Sequence, residues 1–319
     1  MATMHAAVVT SFDAPPRYQE HEAPRPADGE VLLDVLAVGL HPRTRSGAAG
    51  RHYTSSGQLP MIPGIDGVGR RPDGRRVYFV AADDTLGTMA DLARADERRS
   101  VELPPEADAV QIAAAMNPAM SSWVALRRRV PLHDGQSVLV LGATGNAGAM
   151  AVQVARRLGA GRVVGAGRDA TRLAALTDAD ETVRLIADAD ETAAALAAAA
   201  AEVDVVLDYL WGVPAQQAMT ALLTARSDRS RPLDWVQIGA VAGPTMELPS
   251  VLLRSANLRL QGNGQGAVSP AGYVAELPSL IDEITAGALH LPVRAVPLTD
   301  VERAWTEPEE PGVRTVLVP

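Results

Sequence analysis

The chain has 319 residues, is 47% apolar and carries a formal charge of −9. That length and apolar share allow two domains with packed cores, while the acidic balance argues against nucleic acid, whose phosphates need clustered Lys and Arg. The absence of cysteine excludes disulfides, thiolate catalysis and every zinc site built on Cys ligands. In chain order, the opening "MATMHAAVVT" lacks a basic start followed by a long apolar core and does not read as a secretory signal. "HAAVVT" and "EVLLDVLAVGL" read as strands separated by the proline-rich "APRPADGE". Residues 41–70, rich in Gly, Pro, Ser and charge, read as a long loop of the kind that often carries function. "DGRRVYFVA" and the segment from "GTMADL" to "LPPEA" add strands.

The character changes near Asp108. "ADAVQIAAAMNPAMSSWVALRRRV" has helical spacing, with Asn117-Pro118 expected to break it in two and Arg127, Arg128 and Arg129 expected to form a solvated helix end. Strands and helices then alternate: "SVLVLGA", "NAGAMAVQVARRLGA", "RVVGAG", "DATRLAALTDA", "ETVRLI", "DETAAALAAAAAE", "VDVVLDYL", "PAQQAMTALLTA", "DWVQIGAV" and "LRLQGNG". Such alternation predicts a parallel sheet covered by helices on both faces. The tail reads as helix "AGYVAELPSLIDEITAGAL", a short "VRAVPL", helix "DVERAWTE" and strand "RTVLVP". Residues 137–155 carry no charge over about a membrane span, but their turn-patterned glycines fit a soluble strand–turn–helix. A soluble cytoplasmic protein with a small-molecule substrate is expected.

Gly142, Gly145 and Gly148 are spaced G-x-x-G-x-x-G between an apolar strand and a helix. A dinucleotide pyrophosphate needs this geometry: a tight turn, a backbone without Cβ close to the phosphates, and a helix N-terminus aimed at the anion. The loop predicted to hold it is Gly142, Ala143, Thr144, Gly145, Asn146, Ala147 and Gly148. The second strand ends at Gly167-Arg168, where an acid would bind the ribose hydroxyls of NAD and repel a 2′-phosphate. Glycine leaves room there, and a guanidinium can pair with phosphate. Arg172, one helical turn on, adds a second positive charge. NADPH is therefore favoured over NADH. Asp169, one residue late for the acid position, speaks against that choice, and Arg168 as a plain surface charge is the alternative.

With "LPMIPGIDGVG", "GTMADL", "AAAMNPAMSSWVAL", "VLVLGATGNAGAMAVQVARRLGA" and "GVRTVLVP" in this order, the chain resembles the zinc-independent branch of the medium-chain dehydrogenase/reductases, close to quinone oxidoreductases and enoyl reductases. The resemblance spans nearly the whole chain. It implies an α/β protein with a GroES-like, β-rich catalytic domain (1–115 and 268–319) and an inserted Rossmann domain with a doubly wound parallel sheet (116–267). It further implies an active site in the cleft and a homodimer that pairs the last Rossmann strands, here "LRLQGNG".

Zinc-dependent relatives place a cysteine after the "VGL"-type strand and a His-Glu pair near the "PG" segment. Here His41 and Ile65-Asp66 stand at those places, so no ligand triad survives and no metal is expected. A carbonyl must then be polarised by hydrogen-bond donors alone, which favours conjugate reduction. By the resemblance, His41 either donates to the substrate carbonyl or fixes the loop. Tyr53 either donates a proton or hydrogen bond or packs on the loop. Ser46, His52, Asn117 and Trp211 are implied pocket residues, with a helix cap as the alternative for Asn117 and the adenine as the alternative contact for Trp211. Ser121, Gly239, Ala240, Val241, Asn263 and Gly264 are implied contacts of the nicotinamide end, and Arg314 of the 2′-phosphate. The leading expectation is NADPH-dependent, zinc-free reduction of a quinone or α,β-unsaturated carbonyl. The alternatives are a metal-free dehydrogenase of a ketone, alcohol or imine, and a non-catalytic NADPH-binding protein.

Overall fold

The computed structural model describes residues 2–81, 83 and 85–319. Its first elements are strands β1 (Thr3–Val8), β2 (Arg17–Glu22) and β3 (Glu30–Gly39), helix α1 (Pro42–Ala48), and strands β4 (Asp66–Arg70), β5 (Arg76–Ala81) and β6 (Leu92–Glu102). Helix α2 (Ala109–Val124) continues into a π-helical turn, Ala125–Arg129. Then come β7 (Ser137–Leu141), α3 (Asn146–Arg157), β8 (Arg162–Gly167), α4 (Ala170–Ala174), β9 (Glu181–Arg184), α5 (Ala189–Ala200), β10 (Val205–Asp208), α6 (Gly212–Ala225), β11 (Leu233–Gln237), α7 (Ser250–Ser255) and β12 (Leu258–Gly262). The chain closes with α8 (Pro270–Val274), α9 (Leu277–Thr285), β13 (Val293–Pro297), α10 (Val301–Thr306) and β14 (Arg314–Val318).

Two compact units result, Met1–Asn117 with Leu277–Pro319, and Pro118–Glu276. In the first, the order β13-β14-β3-β4-β5-β6 curls back on itself, because β3 also pairs with β6. Its core gathers Leu33, Val35, Phe79 and Met89 from the barrel with Val301 and Leu317 from the tail. In the second, the order β12-β11-β10-β7-β8-β9 is parallel throughout. Its four-residue β10 is buried along its whole length, as a central parallel strand must be. The order reverses between β7 and β10, the switch point at which open α/β sheets bind ligands.

The structure differs from the sequence reading in five places. Residues 41–70 are not one loop, because α1 and β4 lie within them. The exposed strand β2, without an apolar face to signal it, pairs with β1. Asn117-Pro118 does not break α2: Pro118 removes one backbone donor, yet the flanking Ala113, Met116, Ala119 and Val124 are buried and hold the helix together. Asn117 is consequently mid-helix and caps nothing. The tail helix is two, α8 and α9, and α8 belongs to the second unit, which runs to Glu276 rather than stopping at 267. Arg127, Arg128 and Arg129 are not a free solvated end. The first two donate to the buried Glu276 carboxylate, which also accepts from Trp123 Nε1, and the third donates to the carbonyls of Gly262 and Ala267.

Candidate active site

The glycine turn after β7 is built by close approach. Gly142 has φ +90°, a left-handed conformation that only glycine adopts freely. Its N–H and that of Ala143 both donate to Ala166 O, which ties the turn to the end of β8. A Cβ on Gly148 would stand 2.2 Å from Gly142 O, so α3 can pack on the turn only with glycine there. Gly145 is the N-cap of α3 and no side chain caps that helix. The Gly145 N–H donates to Gly142 O at 3.0 Å, so Asn146 and Ala147 present the first N–H groups of a twelve-residue helix, a ready anion site. These residues fit the pyrophosphate of a dinucleotide.

At the end of β8, Gly167 is packed against Thr144, whose Cγ2 would lie 2.6 Å from an added Cβ. Arg168 is exposed, and among the described residues no carboxylate pairs with its guanidinium. Asp169 is engaged locally, since its Oδ1 accepts the Arg172 N–H at 3.0 Å and caps α4. Arg172 is half-buried, with Nη2 3.5 Å from Asn146 Oδ1; burial lowers its pKa, opposed by Asp169.

The ends of β10, β11 and β12 converge on a second cluster. The amide of Asn263 donates to Ser121 O at 2.8 Å, and Asn263 Oδ1 is buried with no hydrogen-bond partner among the described residues. Ser121 Oγ lies 2.8 Å from Pro118 O and 2.9 Å from the hydroxyl of Tyr209. Burial pushes Tyr209 up to about 12, although Ser121 and Ser122 pull the other way. Gly239 admits no Cβ, since Tyr209 O would lie 2.7 Å from it. Beyond it Ala240 and Val241 are exposed, and Val241 N donates to Tyr209 O. Gly264 is exposed and its carbonyl accepts from Tyr273 Oη.

Trp211 is held at φ 53°, a strained setting for a bulky residue. Asp208 holds it there: Oδ1 accepts from Leu210 N and Trp211 N, and Oδ2 from Trp235 Nε1. Burial raises the Asp208 pKa despite those three donors. Sequence reasoning misses Tyr209 and Asp208 as site-building residues, though both stand in "DYLWG" at a strand end, where such residues belong.

In the first unit, His41 does not open toward a ligand. It is buried, with Nε2 3.2 Å from Asp66 Oδ1 and Nδ1 3.2 Å from Thr44 Oγ1. Tyr78 Oη donates to the other Asp66 oxygen at 2.6 Å. Burial lowers the pKa of His41 and its contact with Asp66 only partly offsets this, so the ring is neutral at neutral pH. Neutral His41 then donates through Nε2–H to Asp66 and accepts from Thr44 at Nδ1. Burial pushes the Asp66 carboxyl up, but the His41 and Tyr78 donors outweigh it and hold it below its ordinary value. Of the two readings of His41, the geometry supports the fixing of the loop and corrects direct donation to substrate, since both ring nitrogens are engaged.

Tyr53 is 72% exposed, and its ring lies 4.4 Å from that of His52 in the same loop. His52 Nδ1 is 2.8 Å from Thr54 Oγ1, while the Ser46 carbonyl accepts the N–H groups of Arg51 and His52. Asn117 is half-buried in α2. Arg314 is corrected: it is buried in the first unit and gives Nη1 to Leu40 O at 2.9 Å, so it stays inside the barrel, away from any exposed phosphate.

No protein-family model matches the chain. It is 32% identical over 359 aligned positions to an Emericella nidulans protein named "Probable NADPH-dependent quinone reductase", with 99% of this chain and 100% of that one covered. A trans-enoyl reductase of Aspergillus terreus is 27% identical over 150 residues, 41% of each chain. Among solved structures, a mycobacterial quinone oxidoreductase superposes with a TM-score of 0.82 at 22% identity, covering 99% of this chain and 100% of that one. This last likeness bears on the fold: a GroES-like unit and a Rossmann unit.

Proposed function

The chain belongs to the quinone oxidoreductase family of the medium-chain dehydrogenase/reductases, and from that premise we propose that it is an NADPH-dependent, zinc-free reductase of quinones or α,β-unsaturated carbonyls. The observation that carries the cofactor choice is Arg168: an exposed guanidinium with no carboxylate partner among the described residues, directly after a strand end that Gly167 packs onto Thr144 of the glycine turn. The relative named as an NADPH-dependent quinone reductase supports it. When bound, NADPH supplies the hydride.

The chain's own residues bind and orient. The N–H groups at the start of α3 hold the pyrophosphate, Arg168 and Arg172 hold the 2′-phosphate, and Ser121, Gly239 to Val241, Asn263 and Gly264 hold the nicotinamide end. The buried Asn263 Oδ1 lacks a partner among the described residues, and a ligand N–H would satisfy it. The zinc-free reading is supported by the mutual engagement of His41 and Asp66, which leaves neither free as a ligand. The conjugated substrate class is supported by the relatives named quinone reductase and trans-enoyl reductase. A homodimer through β12 completes the proposal: β12 is a sheet edge, and the neighbouring α7 exposes Val251 and Leu253.

The test is oxidation of NADPH and of NADH against p-benzoquinone, a naphthoquinone, an enal, an enone and a saturated ketone. Turnover of quinone or enone with NADPH is expected. Turnover of the saturated ketone alone would replace this reading with a metal-free carbonyl reductase. Tight NADPH binding with no turnover on any compound would replace it with a non-catalytic binder. Light scattering of the eluted peak checks the dimer.

A further inference from the structure

Arginines stand near both ends of strands β8 and β9, and the two ends differ in charge balance. At their starts the cations are neutralised: Arg162 pairs with Glu181 at 2.6 Å, and Arg156 with Asp180 at 2.5 Å. At their finishes they are not. Arg168 follows the last residue of β8 and Arg184 is the last residue of β9; both are exposed, and among the described residues neither has a carboxylate within 4.0 Å. The chain has a net charge of −9 and contains no lysine, so a patch of unbalanced guanidiniums runs against its overall charge.

The two arginines are joined. The parallel register places Arg184 opposite Gly167, and Leu185 N donates to Gly167 O at 2.7 Å. From there Arg184 Nε donates to Arg168 O at 3.3 Å. One donor of Arg184 therefore grips the backbone that carries Arg168, which leaves both its Nη groups for another acceptor. Arg172 approaches from α4, its Nη2 beside Asn146 at the start of the nucleotide helix. Three guanidiniums from three elements bound one end of this sheet. A dianionic phosphate is the kind of acceptor that several guanidiniums can share.

We propose that Arg184 is a specificity-determining residue for NADPH, contributing a third guanidinium to the 2′-phosphate and holding Arg168 in position; this rests on the NADPH reading above. The test is calorimetric titration of the full chain and of Arg168→Ala, Arg184→Ala, Arg184→Lys and the double alanine variant, each with NADPH, NADH and adenosine 2′,5′-bisphosphate. Arg184→Ala is expected to weaken NADPH and the bisphosphate about tenfold, as loss of a charge-assisted hydrogen bond does. NADH binding is expected to stay within about twofold, which also shows that the variant is folded. Arg184→Lys, which keeps the charge and loses the planar fork, falls between. The double variant loses less than the product of the single losses, because part of Arg184's effect runs through Arg168. If Arg184→Ala binds NADPH like the parent while Arg168→Ala is weakened, the proposal fails and the cofactor reading stands. Equal weakening of NADPH and NADH by Arg184→Ala would make it a merely structural residue and also overturn the proposal. If neither single variant discriminates against NADPH, the cofactor reading itself fails.

Discussion

His41 and Asp66 meet at 3.2 Å inside the barrel unit, each buried, and each with its remaining polar atom occupied by a second partner, Thr44 for one and Tyr78 for the other. Removing the carboxylate strands two donors at once. Asp66→Ala should therefore cost about 2–6 kcal/mol in urea unfolding, about 1–3 kcal/mol for each stranded neutral donor, and Asp66→Asn, which keeps one acceptor oxygen, about 1–3 kcal/mol.

The same pair fixes an acid limb of stability. An imidazole in the unfolded chain titrates near 6.5, and burial places folded His41 lower. The unfolded chain therefore takes up that proton first, so the contribution of His41 is complete above 6.5 and is lost as pH falls through 6.5 toward the folded value. Asp66, also depressed, adds a further loss as pH falls below 3.8 toward its own folded value. Melting temperatures measured down from neutral pH should show the first decline in the parent and lack it in His41→Gln. A parent curve flat between neutrality and the carboxylate range would sink this assignment.

Gly148→Ala should abolish NADPH binding as well as destabilise the fold. The added Cβ would stand 2.2 Å from Gly142 O, a backbone atom that cannot rotate aside. The turn must shift, and the N–H groups of α3 shift with it. A loss above about 2 kcal/mol is expected from the forced backbone movement alone. Fluorescence titration and thermal melting report the two effects separately.

Tyr209→Phe removes the hydroxyl that meets Ser121. A lost buried hydrogen bond of this kind costs about 1 kcal/mol. Because Ser121 O is also the acceptor for Asn263, KM for NADPH should rise in this variant while the Arg168-dependent preference over NADH persists. An unchanged KM would mean that the Ser121–Tyr209 contact is packing only.

Tyr53→Phe should leave kcat within about twofold of the parent, because the ring is 72% exposed and its contact with His52 survives loss of the hydroxyl. A fall of a hundredfold would restore Tyr53 as the proton donor.

What is legible in the sequence is local. The glycine turn declares itself because its strand, its three glycines and its helix follow one another without interruption. The parallel sheet is legible for the same reason. Arg127 misleads because its partner, Glu276, lies 149 positions away, and no pattern near Arg127 announces a buried carboxylate. His41 is half-legible: its place after β3 is visible and Thr44 meets it from three residues on, but Asp66, itself held by Tyr78, meets it only after the barrel closes. Arg314 misleads because burial is a tertiary property, and its acceptor, Leu40 O, stands 274 positions back. Pro118 misleads because a helix breaker is judged by propensity, whereas the buried alanines around it decide the outcome. Tyr209 has only its place at a strand end as a signal, and a tyrosine after an apolar strand also reads as core.

The barrel is assembled from both extremes of the chain. Val38 and Gly39 of β3 pair with Leu317 and Val316 of β14. During synthesis β3 emerges early and waits with that edge open until β14 has left the ribosome. The Rossmann unit, Pro118–Glu276, is contiguous and has all its strands by then. A nascent chain can therefore complete its nucleotide fold before its barrel exists. In that interval an early cofactor molecule could act as a folding ligand for one half of a protein whose other half is still an unpaired strand edge.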